Sequence, residues 1–124
     1  MTTRTARKVA RAARKPAAPH VATAMRDHAD AATALLQAIG SRNRLLLLCQ
    51  LVAGERSVGE LVDALGLAQS VVSQHLALLR HAGIVTGRRE AQSIRYRIAD
   101  ARAEALMATL FDLFCGSRAG QGHA

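Results

Sequence analysis

Apolar residues recur at helical spacing along most of this chain and give way to alternation over one short stretch. From Val21 to Ile39 the sequence is alanine-rich and free of breakers, which predicts a helix closed by Gly40. Ser41 is placed to cap a second helix, Arg42 to about Ala53, stopped by Gly54. There Leu45, Leu48, Cys49 and Val52 share one face, and Leu46, Leu47 and Leu51 extend the apolar surface nearly all round. A helix of that kind is expected to be buried. Ser57-Val58-Gly59-Glu60 has the form of a capping box opening a short third helix through Leu61, Val62 and Leu65 to Gly66. The turn Gly66-Leu67-Ala68 leads into a fourth helix, Gln69 to His81, ended by Gly83. Ile84–Glu90 and Ser93–Ala99 predict two strands joined by a tight turn at Ala91-Gln92. Asp100 caps a last helix running to about Cys115 before Gly116.

The order α-α-α-α-β-β-α, mainly α with a small β-hairpin, contains a short helix, a glycine turn and a second helix, which is the helix-turn-helix pattern. The fourth helix has the two faces that such a role requires. Val72, Leu76 and Leu79 fall on one side, while Ser70, Ser73, Gln74, Ala77 and His81 fall on the other, with Gln69 at the start. Short polar side chains beside an alanine let a helix sit deep in a major groove, where Gln reads adenine bidentately and Ser reads several bases or grips phosphate. His75 lies at the flank. The hairpin that follows carries Arg88, Arg89, Arg95 and Arg97, expected around its turn as a wing against phosphates or the minor groove. The fold class is therefore a winged helix-turn-helix.

Charge adds a second feature. Of seventeen basic residues in this chain of 124, six fall within the first twenty positions, where there is no acid. With Pro16 and Pro19 at its end, residues 1–20 are expected to form a disordered basic tail favouring polyanions, 21–116 the DNA-binding domain, and 117–124 a frayed end. No secretory h-region opens the chain, and the longest wholly apolar run, Leu45–Cys49, is too short to span a bilayer. A cytoplasmic protein with no membrane association is expected. Glycine-rich phosphate loops, paired carboxylates and a nucleophile with a placed base are all lacking, which argues against an enzyme.

Gln69-Ser70-Val71-Val72-Ser73-Gln74-His75-Leu76-Ala77-Leu78-Leu79-Arg80, followed by Ala82-Gly83-Ile84-Val85 and Arg88-Arg89, resembles the recognition helix and wing of ArsR/SmtB-type repressors. The resemblance spans about Leu35 to Cys115. It implies a homodimer formed through the first and last helices, an inverted-repeat double-stranded operator, and release of DNA when an inducer binds. The metal-sensing members carry local signatures that this chain departs from. Glu60-Leu61 is followed by Val62-Asp63-Ala64 rather than a thiol pair, and Asp100-Ala101-Arg102 opens a helix without histidine. No metal or cofactor is therefore expected, although His20 and His28 leave a metal-responsive repressor open. What remains is Cys49 in the second helix and Cys115 at the end of the last, which resemble the thiol pair of the sulfide- and persulfide-responsive members, including those linked to biofilm growth. The resemblance implies redox sensing by a polysulfide or disulfide bridge, with reactive sulfur species as inducer. An apolar helix face around Cys49 and a helix C-terminus beside Cys115 both disfavour thiolate. Two thiols acting as small core residues, and a non-specific architectural DNA-binder, are the competing readings.

Overall fold

The computed structural model describes residues 18–116, so the expectations for residues 1–17 and 117–124 lie outside the described residues. Its elements are α1 (Ala18–Ile39), α2 (Arg42–Val52), β1 (Arg56–Ser57), α3 (Val58–Leu65), α4 (Gln69–His81), β2 (Val85–Glu90), β3 (Ser93–Ile98) and α5 (Ala101–Phe114). The helix α1 begins three residues before the expected Val21, because Pro19 sits in its first turn, where a missing N–H costs nothing. The chain divides into two compact units within α1, between Ala34 and Leu35. In the first, the described residues are helical, with Val21 and Met25 exposed.

The second unit holds the core. Leu47, Leu48 and Leu51 from α2 meet Leu61 from α3, Val72, Leu76 and Leu79 from α4, Ile84, Val85 and Tyr96 from the hairpin, and Ala103 and Met107 from α5. The local signals explain where each helix starts. Ser41 accepts from the Arg44 N–H at 3.3 Å, and Asp100 Oδ1 accepts from the Arg102 N–H at 2.7 Å. The capping box is complete: Ser57 Oγ accepts from the Glu60 N–H, and Glu60 Oε1 accepts from the Ser57 N–H at 2.9 Å. Gly66 ends α3 in the left-handed conformation, at φ 68°, and so turns the chain into α4.

Two expectations need correction. The sequence missed β1, a two-residue strand that pairs antiparallel with β3 and makes the sheet three-stranded in the order β1-β3-β2. Two residues are too few to show alternation, and Ser57 also serves as the cap of α3. Burial of α2 all round was also wrong for the single chain. Leu47, Leu48 and Leu51 are buried, but Leu46, Cys49 and Val52 are exposed. The core covers only one side of this helix, and the opposite side lies at the edge of the molecule. Among the described residues, no helix is long and apolar enough to cross a membrane.

Candidate nucleic-acid interface and thiol pair

The helix α4 is anchored by its apolar side, where Val72, Leu76 and Leu79 are at most 1% exposed. That anchoring turns Gln69, Ser70, Ser73, Gln74, Ala77 and His81 outward, and all six are exposed. The outward surface is thus a strip of amides, hydroxyls and one methyl group, with the His81 imidazole at its end. His75 is half-buried at its edge. Burial, reinforced by the nearby Arg44 guanidinium, lowers the pKa of its imidazole from the ordinary histidine value and so favours the neutral form. Arg44 itself braces the end of α1, its Nε donating to the Ala38 carbonyl at 2.6 Å.

The hairpin divides its arginines between two faces. Register places Arg88 opposite Arg95 and Thr86 opposite Arg97, so Arg88, Arg95 and Arg97 share one face, while Arg89 lies opposite Ile94 on the other. Gly87 faces Tyr96, and a Cβ there would come within 2.8 Å of Ile94 and 3.0 Å of Tyr96, so the close pairing of the strands depends on that glycine. The tip of the hairpin and the start of α4 border a common open cleft of about 420 Å³, lined by Gln69, Gln92, Ser93 and Ile94 among others. Helix and wing are therefore neighbours.

The four arginines are not equivalent. Arg88 forks onto the Glu55 carboxylate, with Nη2 at 2.9 Å from Oε1 and Nε at 3.1 Å from both oxygens. Arg95 is held at 3.3 Å by Glu60, 3.5 Å by Glu90 and 3.6 Å by Glu55, and donates to the Glu55 carbonyl at 3.1 Å. Hydrogen bonds from Arg88, with the charges of Arg88, Arg95 and Arg97 adding to them, keep the Glu55 carboxyl below the usual carboxylate range. Arg97 lies near the root of the wing rather than around its turn. Among the described residues, neither it nor Arg89 forms an ion pair. Sequence reasoning missed Glu55 and Glu90 and read Glu60 as a cap alone. Only Glu90 stands beside the basic hairpin in sequence; Glu55 and Glu60 reach it through the pairing of β1 with β3.

Cys49 and Cys115 are both free and exposed. Partial desolvation raises the Cys49 thiol above its ordinary value, and the neighbouring Cys115 raises it further. The two sulfurs are therefore within electrostatic reach, one from the outer side of α2 and one from the cap position of α5. No group of three or more His, Cys, Asp or Glu that could hold a metal occurs among the described residues. His20 and His28 join no such group.

Residues 41–86, which hold the helix-turn-helix, match the family model of bacterial regulatory proteins of the arsR family. The chain is 44% identical over 84 residues to the transcriptional activator HlyU of Vibrio cholerae, a match covering 68% of this chain and 78% of that protein. This chain belongs to the arsR family. Biofilm growth-associated repressors are similar as well: that of Agrobacterium fabrum is 45% identical over 92 residues, covering 74% of this chain and 79% of its own. Among solved structures, the repressor BigR from Xylella fastidiosa superposes with a TM-score of 0.72 at 41% identity, over 75% of this chain and 95% of BigR. Reduced HlyU from V. cholerae gives a TM-score of 0.71 at 42% identity, over 73% of this chain and 96% of HlyU. The protein is thus an arsR-family transcriptional regulator with a winged helix-turn-helix fold, in a family that is not enzymatic. Its relatives include an activator and repressors.

Proposed function

We infer that this arsR-family protein is a homodimeric repressor that releases an inverted-repeat operator when reactive sulfur species bridge Cys49 and Cys115. The observation that carries the reading is a pair of solvent-exposed cysteines, one on α2 and one at the end of α5, on two helices that pack against each other. Two cysteines acting as core filler would be buried instead. Similarity to biofilm growth-associated repressors favours the repressor sign over activation.

The chemistry needs no separate oxidant. Each protein thiolate attacks the sulfane sulfur of a donor persulfide RSSH, taking that sulfur and releasing RSH. Two protein persulfides then condense to a trisulfide with loss of hydrogen sulfide, the sulfane sulfur being the group reduced. A persulfide meeting an unmodified thiol gives a disulfide and hydrogen sulfide by the same displacement. The added sulfur lets the bridge span thiols that the narrow geometry of a plain disulfide excludes.

Apolar surface that the single chain leaves uncovered supports dimerisation. On α5, Phe111, Leu113 and Phe114 are exposed, Phe114 at 82%, and Leu36 near the end of α1 is 58% exposed. Beside them Leu36, Ile39, Leu45, Leu106 and Leu110 line an apolar cleft of about 360 Å³. A second copy covering these surfaces would place the thiol pair next to the interface. Gln69, Ser70, Ser73 and Gln74 would then read bases, with Arg89 and Arg97 supplying phosphate contacts and His75 an uncharged flanking contact.

The test is the intact mass of each protein after glutathione persulfide treatment. The wild type is expected to gain bridging sulfur and lose two hydrogens within one chain, reversibly with reductant. Cys49→Ser and Cys115→Ser are expected to form no bridge. A bridge linking two chains, or none in the wild type, contradicts the reading.

A further inference from the structure

A wing meant to grip phosphate carries, on one face, two arginines already engaged by carboxylates. Arg88 and Arg95 are directly opposite each other across the strands, a like-charge pair that disfavours the hairpin unless it is neutralised. Glu55 neutralises both, from the loop between Gly54 and β1, with Glu90 adding a contact to each at 3.9 Å and 3.5 Å. The two arginines differ in how firmly they are held. The Arg95 side chain is 25% exposed and tied to three carboxylates and a carbonyl, which pins the middle of β3 to the start of α3. Arg88 is 54% exposed and depends chiefly on the forked contact with Glu55. An ion pair so open to solvent is easily exchanged, and a phosphate offers the same bidentate acceptor.

The geometry points to Glu55 as an electrostatic clasp that withholds Arg88 from the DNA backbone and so sets the overall strength and salt dependence of DNA binding, with Arg95 positioning the wing instead of touching DNA. This rests on the wing lying against DNA as described above. Phosphate contacts raise affinity for all sequences alike, whereas discrimination comes from base contacts and DNA shape. Keeping one strong cation occupied per wing lowers the common affinity and leaves the base-reading contribution of α4 intact. The clasp therefore lowers affinity for operator and random DNA by a similar factor and leaves the ratio between them to α4.

A mutant cycle on the full-length protein tests the clasp. Binding to an operator duplex and to random-sequence duplex is measured against salt for the unaltered protein, Glu55→Gln, Arg88→Ala and the double variant. Glu55→Gln is expected to tighten both complexes by a similar factor at low salt. Its slope of log affinity against log salt should steepen by about 0.9 for each arginine released. Arg88→Ala alone is expected to change little, and the double variant should lose the whole gain. A gain that persists in the double variant, or no gain in Glu55→Gln, overturns the clasp. Failure of the unaltered protein to bind DNA would show in the same titrations as a failure of the underlying reading, separate from the outcome of the cycle.

Discussion

The surroundings of Cys49 decide how readily its thiol reacts. Its thiol lies on the outer side of α2, open to reagent, yet desolvation and Cys115 favour the protonated form. A thiol with a raised pKa holds little thiolate at neutral pH, and the thiolate is the nucleophile. Alkylation of Cys49 by iodoacetamide, followed by peptide mass mapping in Cys115→Ser, is therefore expected to accelerate with pH into the range above the free-thiol value of about 8.5. Removing Cys115 takes away one of the two causes, so the midpoint in that variant should still lie above the free value through desolvation alone. A rate already at its plateau at pH 7 would show an activated thiol and contradict this description. Slow reaction as a thiol also suits a sensor that ignores weak oxidants and answers to reagents bearing sulfane sulfur.

At the scale of the element, α4 works because its two faces are separated by burial. Val72, Leu76 and Leu79 lock the helix, which fixes where Ser73 and Gln74 point. Gln74→Ala is expected to cost about 1–3 kcal/mol of operator binding while leaving random DNA nearly unaffected, measured by fluorescence anisotropy on both duplexes. Equal loss on both would assign Gln74 to the backbone instead. The bounds of α4 were legible in the sequence to the residue, because Gly66 and Gly83 fall at the ends of a clean helical period. The capping box before α3 was equally legible, since four consecutive residues carry it. The strand β1 was not, because two residues display no period and pair with a strand some forty positions away. The same distance hid the clasp: Glu55 and Arg88 are far apart in sequence, and only the sheet register brings them together. The outer face of α2 was misread for a related reason. Leucine on all sides marks burial somewhere, but the chain does not say whether its own core or another copy provides it.

The whole molecule couples the two ends of the account. Cys49 lies on α2 and Cys115 at the end of α5, where Phe111, Leu113 and Phe114 stand uncovered in the single chain. In a dimer built on that surface, the two α4 helices must lie about 34–36 Å apart to enter successive major grooves. A sulfur bridge pulling α2 and α5 into a new arrangement would shift that spacing, since packed interfaces switch between discrete states. The inducer's effect is bounded by its preference for the weakly binding state, typically about 5–150-fold in affinity. The most direct measurement is operator affinity of the wild type, Cys49→Ser and Cys115→Ser, each before and after persulfide and again after reductant. The expected result is a loss of roughly tenfold or more in the wild type alone, restored by reductant, with both variants binding DNA throughout. Full release in either single variant, or unchanged affinity in a bridged wild type, would contradict the account.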